Sequence, residues 1–345
     1  MNRVLVTGAG GYIGTTLVPL LLARGHAVRA VDRFYFGRHR LPDDHRLEIV
    51  QEDVRRLEPE HFRDVDAVID LAAISNDPSG ELFQDVTWAV NHVARVRCAE
   101  LAKAAGVKRY VLPSSCSIYG RQPDGETATE TSRTNPLTTY AKANEKAEQG
   151  ILPLADDRFT AVVLRQATVY GYSPRMRLDL AINGMTFGAW KTGHLPLMRD
   201  GTQWRPMVHV RDTAEAQIFM LTAPAGRVNG QIFNVGSDVN TYRIAELGDT
   251  VVREVSARKH PVEIEWYGDP DLRSYRVGFA KIEDLGWRAT RRAEDGVVEI
   301  LERLEAGDLD RTSETITLDW YKQLAGWHRI IKQVEMYGGI FDVRA

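Results

Sequence analysis

The sequence predicts an α/β protein, a doubly wound parallel sheet with a smaller C-terminal domain. Short apolar runs at 4–7, 27–31, 47–50, 67–72, 109–113 and 159–164 alternate with helical stretches, the rhythm of strands joined by crossover helices. The first run ends in a glycine turn, and the rhythm breaks near residue 170, where a stretch rich in Arg, Gly, Pro and aromatic residues begins. The expected partition is 1–170, with 206–238 returning to the sheet, against 171–205 and 239–345 as the smaller domain.

Val4-Leu5-Val6 runs into Thr7-Gly8-Ala9-Gly10-Gly11-Tyr12-Ile13-Gly14, followed by the helical run Leu17, Val18, Leu20, Leu21 and Leu22. A strand, a glycine turn and a helix N-terminus point backbone N–H groups at an anion, and small residues let a pyrophosphate come close. Glycines also mark ordinary turns, so context decides. The second strand, 27–31, is closed by Asp32, about 20 residues beyond the turn, where a carboxylate suits adenosine ribose hydroxyls. The N-terminal part therefore reads as a Rossmann dinucleotide-binding unit with Gly8, Gly11, Tyr12, Ile13, Gly14 and Asp32 at the cofactor. A carboxylate at 32 repels a 2′-phosphate, and Arg33 beside it softens that repulsion; NAD is the expected cofactor rather than NADP.

Ligands of such sheets lie at the carboxyl ends of the strands. Asp53-Val54 follows the third strand, Leu71-Ala72-Ala73-Ile74-Ser75-Asn76 the fourth, and Ser114-Ser115-Cys116-Ser117 the fifth. Between the fourth and fifth, Trp88, Val90, Val93, Val96, Leu101 and Ala105 predict a long helix with more apolar surface than one sheet face requires. Core packing and contact with a second subunit both account for it. After Pro136, Tyr140, Asn144 and Glu148 are spaced i, i+4, i+8 and share one helix face. A tyrosine there serves as general base to an alcohol if its ordinary pKa of about 10 is lowered. Gln231–Val235 reads as a further strand, and 308–345 as a helix followed by a short strand.

Composition sets the remaining bounds. The chain has 345 residues, enough for one large or two ordinary domains. With 26% charged and 43% hydrophobic residues it has the profile of a globular enzyme, and a net charge of −3 gives no nucleic-acid surface. No apolar run is long enough for a membrane span and the first residues are already strand, so a cytoplasmic protein is expected. Two cysteines, Cys98 and Cys116, make no disulfide framework. Nine histidines without metal-ligand spacing give no metal site.

Taken together, these elements resemble the extended short-chain dehydrogenase/reductase family, in particular the nucleotide-sugar epimerases and dehydratases. The resemblance rests on Thr7-Gly8-x-x-Gly11-x-x-Gly14, Asp32, Asp53-Val54, Leu71-Ala72-Ala73, Asn91, Ser114 to Gly120 and Tyr140. It continues through Gly201-x-x-x-Arg205-x-x-x-His209-Val210-x-Asp212, Asn234-Val235-Gly236, Asp271-x-Arg273-Ser274-Tyr275 and Leu285-Gly286-Trp287, nearly the full length. It implies that Ser115 hydrogen-bonds the reacting hydroxyl while Tyr140 removes its proton and NAD takes the hydride. It implies further that Asp32 holds the adenosine ribose, Asp53 the adenine amino group, and Arg205 and Arg273 the diphosphate of a sugar nucleotide, a task suited to guanidinium forks.

The chain departs from the family pattern at three places. Where the family has Tyr-x-x-x-Lys, position 144 is Asn, which can bond the nicotinamide ribose but brings no charge; Lys142 and Lys146 fall on other helix faces. Where dehydratases carry an Asp-Glu pair there are Cys116 and Ser117, which disfavours a 4,6-dehydratase. Where the family has a substrate-contacting Asn there is Thr168, followed by Arg175 and Arg177 near the substrate entrance. The expected activity is nucleotide-sugar C4 epimerisation through a transient 4-keto sugar, with a 4-ketoreductase or dehydrogenase as the alternative enzyme and a non-catalytic NAD-binding regulator as the alternative outside enzymes. Ser115, Tyr140 and Asn144 are the expected catalytic set, and Ser75, Ser117, Thr168, Arg177, Arg205 and Arg273 the expected substrate contacts. The resemblance also implies a homodimer formed through the helix near 85–105 and the Tyr140 helix.

Overall fold

The computed structural model describes residues 3–123, 125–269 and 274–336. In chain order the first half runs β1 (Arg3–Thr7), α1 (Gly14–Ala23), β2 (Ala27–Asp32), β3 (Leu47–Gln51), β4 (Ala67–Asp70), α2 (Asp77–Leu82), α3 (Gln84–Trp88), α4 (Arg95–Ala104), β5 (Arg109–Ser115), β6 (Thr127–Ala128) and α5 (Thr139–Ile151). The second half runs β7 (Thr160–Gln166), β8 (Thr168–Tyr170), α6 (Ala181–Thr192), β9 (His194–Met198), β10 (Trp204–His209), α7 (Val210–Thr222), α8 (Ala225–Val228), β11 (Gln231–Val235), β12 (Thr241–Arg243) and α9 (Ile244–Arg258). It closes with β13 (Glu263–Tyr267), β14 (Arg276–Val277), α10 (Ala280–Leu285), α11 (Ala293–Glu305) and α12 (Thr317–Met336).

Seven strands form one all-parallel sheet in the order β11-β7-β5-β4-β1-β2-β3. The chain leaves β1 toward β2 and β3, then returns to place β4 on the other flank. This reversal opens a crevice at the carboxyl ends of β1 and β4, where such sheets take their ligands. Alternation along β1 covers both faces: Val4 and Val6 pack with Leu17, Val18 and Leu21 of α1, whereas Leu5 packs with Ala99 of α4 and Ala147 of α5. The six expected strands are all present. The fourth stops at Asp70 instead of 72, because Leu71 to Ala73 turn out of the ladder toward the crevice.

A second core lies beyond the carboxyl ends, where α6, α9 and α11 bury Ile182, Phe187, Val251, Val255, Val297 and Ile300 against one another. Short sheets stitch it to the first: β10 pairs with β8 and β12, β9 with β13, and β6 with β14. The long helix expected near 85–105 is interrupted. Residues Ala89–Ala94 form a π-helical turn between α3 and α4, an element that accommodates an extra residue and often sits at functional sites. Asn91 accepts from the backbone N of Ile74 at 2.8 Å and donates to its carbonyl at 3.0 Å, fastening that turn to the loop after β4. No helix among the described residues is long and apolar enough to cross a membrane, and no group of His, Cys, Asp or Glu among them is placed to hold a metal ion.

Candidate active site

The glycine turn closes tightly on the loop after β4. Gly8 has φ +66°, and a Cβ there would lie 2.8 Å from the backbone N of Ala72; only glycine permits both the left-handed backbone and the approach. A Cβ on Gly14 would collide with the Gly8 and Ala9 carbonyl groups, so α1 starts directly behind the turn. Thr7 Oγ1 accepts from Ala72 N at 3.0 Å and donates to Asp70. The result is a cradle of small residues at a helix N-terminus, and it fits the pyrophosphate of a dinucleotide.

At the end of β2 both Asp32 oxygens are held by backbone, Oδ2 by Gly10 N at 3.0 Å and Oδ1 by Phe34 N at 2.6 Å. Burial raises its carboxyl above the ordinary range, against the pull of those amides. Arg33 faces Asp53, with Nη1 donating to Oδ2 at 3.0 Å, and its guanidinium lies 4.3 Å over the Tyr35 ring. Arg55 donates to the same carboxylate through Nε at 2.9 Å, Nη2 at 2.6 Å and its backbone N at 3.0 Å. The Arg55 bond is the main reason that the Asp53 carboxyl falls to about 2. These donors fill the acceptor positions of Asp53, so the expected contact with an adenine amino group requires Arg33 to move.

One cavity of about 1040 Å³ takes in this end and the opposite one, where Ser115, Ser117, Tyr140, Thr168 and Arg205 line it. Gly8, Gly11, Tyr12, Ile13 and Gly14, with Asp32, Arg33, Asp53, Val54 and Leu71 to Ala73, line the cofactor end, and Ser75 and Arg177 lie between. Ser115 caps the short turn after β5, its Oγ accepting from Ser117 N at 3.1 Å, which leaves the hydroxyl proton for a ligand. Tyr140 stands in the first turn of α5, set by the Thr138 cap that accepts from Ala141 N at 3.2 Å. Gly80 of α2 packs against it closely enough that a Cβ would lie 3.2 Å from the tyrosine Cβ.

Asn144, expected at the cofactor, is not part of the cavity wall. It is 1% exposed, and its Oδ1 accepts from Arg95 Nη1 at 2.9 Å. Arg95 is itself buried at 3%, donating through Nε to the Ala72 carbonyl at 3.0 Å and through Nη2 to the Asp70 carbonyl at 3.2 Å. The short amide ends before the cavity, and an arginine from α4 fills the space behind the Tyr140 helix. One turn further, Glu148 takes Arg165 Nη2 at 2.7 Å, while Arg165 Nη1 donates to the Tyr119 hydroxyl at 3.0 Å. Cys116 is sealed off: its thiol donates to the Arg165 carbonyl at 3.2 Å, and burial pushes its pKa up, away from acid–base use.

Among the arginines, Arg205 donates to the Trp204 carbonyl at 3.0 Å and lies 5.6 Å over the Tyr275 ring. The Tyr275 hydroxyl bonds Thr168, and burial pushes its pKa up to about 12. Arg177 grips Asp179 with Nε at 3.1 Å and Nη2 at 2.8 Å and the Ser75 carbonyl with Nη1 at 3.1 Å; its donors shape the wall more than they await a ligand. Arg273 lies outside the described residues. Sequence reasoning missed Phe36 and the wall that α12 contributes with Tyr321, Leu324 and Trp327. The aromatic cluster Trp320, Tyr321 and Trp327, with Leu324 on the same amphipathic helix, was the available signal.

The family described as NAD dependent epimerase/dehydratase matches residues 4–236. A UDP-glucose 4-epimerase of Mycolicibacterium smegmatis is 31% identical over 322 residues, covering 87% of this chain and 97% of that protein. UDP-glucuronic acid decarboxylase 1 of Arabidopsis thaliana is 27% identical over 312 residues, covering 86% of this chain and 68% of that one. Among solved structures, MoeE5 in complex with UDP-glucuronic acid and NAD aligns with a TM-score of 0.76 at 26% identity, covering 88% of this chain and 99% of that one.

Proposed function

The chain belongs to the NAD dependent epimerase/dehydratase family, and on that premise we propose that it is a nucleotide-sugar 4-epimerase, acting on a UDP-hexose through a transient 4-keto sugar. The observation that carries the reading is the single cavity joining the glycine turn and Asp32 to Ser115, Tyr140, Thr168 and Arg205. The glycine turn, the α1 N-terminus and Leu71 to Ala73 would hold NAD, which when bound supplies reversible hydride acceptance from the sugar C4. Ser115 donates its hydroxyl proton to the sugar oxygen and fixes its position. Tyr140 takes the proton from that oxygen and returns it once the keto sugar presents its other face.

This cycle needs one acid–base group, whereas elimination of water needs a second beside Ser115. Cys116 is buried with a raised pKa, and Ser117 has no ionisable group in the working range, which supports epimerisation over 4,6-dehydration. Asn144 brings no charge to the tyrosine. The Asn144 Oδ1 is taken by Arg95, which is anchored also on the carbonyls of Asp70 and Ala72; the bound nicotinamide would bring the positive charge on the tyrosine's side. A homodimer through α3, α4 and α5 belongs to the same reading, supported by Val93, exposed on the π turn between α3 and α4; a monomer by light scattering contradicts it.

The test uses UDP-galactose and UDP-glucuronic acid as probes with wild type and Tyr140→Phe. Interconversion of UDP-galactose with UDP-glucose, or of UDP-glucuronic acid with UDP-galacturonic acid, by the wild type, lost in Tyr140→Phe with NAD binding retained, is the expected result. Release of carbon dioxide from UDP-glucuronic acid without epimerisation identifies a decarboxylase instead, and stoichiometric reduction of added NAD identifies a dehydrogenase. Equal behaviour of the two proteins removes Tyr140 from the chemistry.

A further inference from the structure

One buried cation facing the cavity makes no hydrogen-bonded ion pair among the described residues, and the carboxylates of Asp32 and Asp179 act on it only through space. Arg175, in the loop between β8 and α6, is 3% exposed and lines the same cavity as Gly8 and Asp32. Its guanidinium lies 3.7 Å over the Phe36 ring, Nη2 donates to Thr317 Oγ1 at 3.0 Å, and Nε is buried without a hydrogen-bond partner. Arg177, two residues on, is neutralised by the two-pronged bond to Asp179; Arg175 has no such carboxylate partner among the described residues. Burial first, and then the like charge of Arg177, push its pKa down to about 9. An isolated buried charge is unfavourable unless something pairs with it.

Its place in the fold says which anion. The Arg175 backbone N donates to Thr15 Oγ1 at 3.3 Å in the first turn of α1, and Ser173 bonds Thr15 Oγ1 at 2.9 Å and the Tyr12 carbonyl at 2.6 Å. The side chain therefore springs from the helix N-terminus behind the glycine turn, the position that favours phosphate. Arg205, by contrast, lies at the Tyr275 end. On the outer side, α12 holds Arg175 in place: Thr317 accepts its Nη2, the Trp320 and Tyr321 rings pack against Phe36 at centroid distances of 6.5 and 6.1 Å, and Trp320 Nε1 donates to the Tyr35 carbonyl at 2.9 Å.

We propose that Arg175 clamps the diphosphate of the bound dinucleotide, and that α12 is the wall that holds this clamp over it through Thr317 and Tyr321. The inference rests on the reading that the cavity takes NAD. A guanidinium fork excluded from water binds phosphate oxygens with charge-assisted bonds stronger than it makes in solution, and the bond gives the unpartnered Nε a direct anionic acceptor. The same chemistry exists in the diphosphate of the sugar nucleotide. Thr15 and Asp32 beside Arg175 assign it to the dinucleotide.

The experiment measures equilibrium binding of NAD, ADP-ribose, adenosine and UDP to full-length, nucleotide-free wild type, Arg175→Met, Arg175→Lys and Thr317→Val. Arg175→Met is expected to weaken NAD and ADP-ribose by about tenfold to a hundredfold and to leave adenosine and UDP unchanged. Arg175→Lys keeps the charge without the fork and falls between; Thr317→Val shows a smaller loss in the same direction. Equal loss of adenosine shows that Arg175 only supports the pocket, loss of UDP in place of ADP-ribose moves the clamp to the sugar nucleotide, and unchanged binding removes the clamp; each overturns the proposal. Wild type that binds neither NAD nor ADP-ribose refutes the cofactor reading itself, which is a separate outcome.

Discussion

At the scale of single residues, one helical turn from Tyr140 the buried Asn144 is held by Arg95. The sequence shows that position 144 lacks a cation; it does not show that Arg95, far away in the chain, reaches the same spot. With Arg95 Nη1 2.9 Å from Asn144 Oδ1, Asn144→Lys alone forces a second cation into a buried place already filled. The variant is expected to lose roughly 3 kcal/mol of stability in urea unfolding and to gain no activity. Arg95→Gln combined with Asn144→Lys removes the conflict and is expected to recover both. A single Asn144→Lys that is as stable as wild type and faster contradicts this. That Asp32 and Tyr140 line one cavity could be read because their spacing from a glycine turn or along a helix is local, whereas the engagement of Asp53 by Arg33 and the sealing of Cys116 depend on neighbours that spacing does not reveal.

At the scale of elements, α5 is fastened from beneath by buried polar groups. Glu148 is 2% exposed, and burial raises its carboxyl above the ordinary range although Arg165 and Ser114 bond it. Glu148→Ala leaves Arg165 buried without its partner and is expected to lower the unfolding free energy by about 3–5 kcal/mol in urea titration; a loss below about 1 kcal/mol, the size of an exposed pair, shows that water reaches Arg165. At the glycine turn, Gly14→Ala drives a Cβ into the Gly8 carbonyl and is expected to cost about 1–3 kcal/mol together with NAD binding, read by thermal melting with and without the cofactor. The strands of the central sheet could be read from the sequence because each is a short apolar run between helices. The π turn at Ala89–Ala94 could not, since Asn91 within it bonds Ile74, a partner that no helical spacing indicates. The C-terminal segment was read correctly as helical, but its seat over the cavity is set by Phe36 and Phe83, distant in sequence; the short strand expected after it lies outside the described residues.

For the molecule as a whole, two cores meet across one cavity. The parallel sheet supplies the cofactor end and Ser115, α5 supplies Tyr140, and the segments around β8, β10 and α6 supply Thr168, Arg205 and Arg177. A ligand bound there is lined by sheet, loops and α12, and the proposed 4-epimerase requires that reduced cofactor stay there until the keto sugar is reduced again. Retention of the label at the reacting carbon tests this most directly. With UDP-galactose deuterated at C4 and excess unlabelled NAD in solution, the expected product is UDP-glucose that carries the deuterium at C4, with none in the free NAD pool or in water. Deuterium appearing in free reduced nicotinamide, or product without the label, would contradict it.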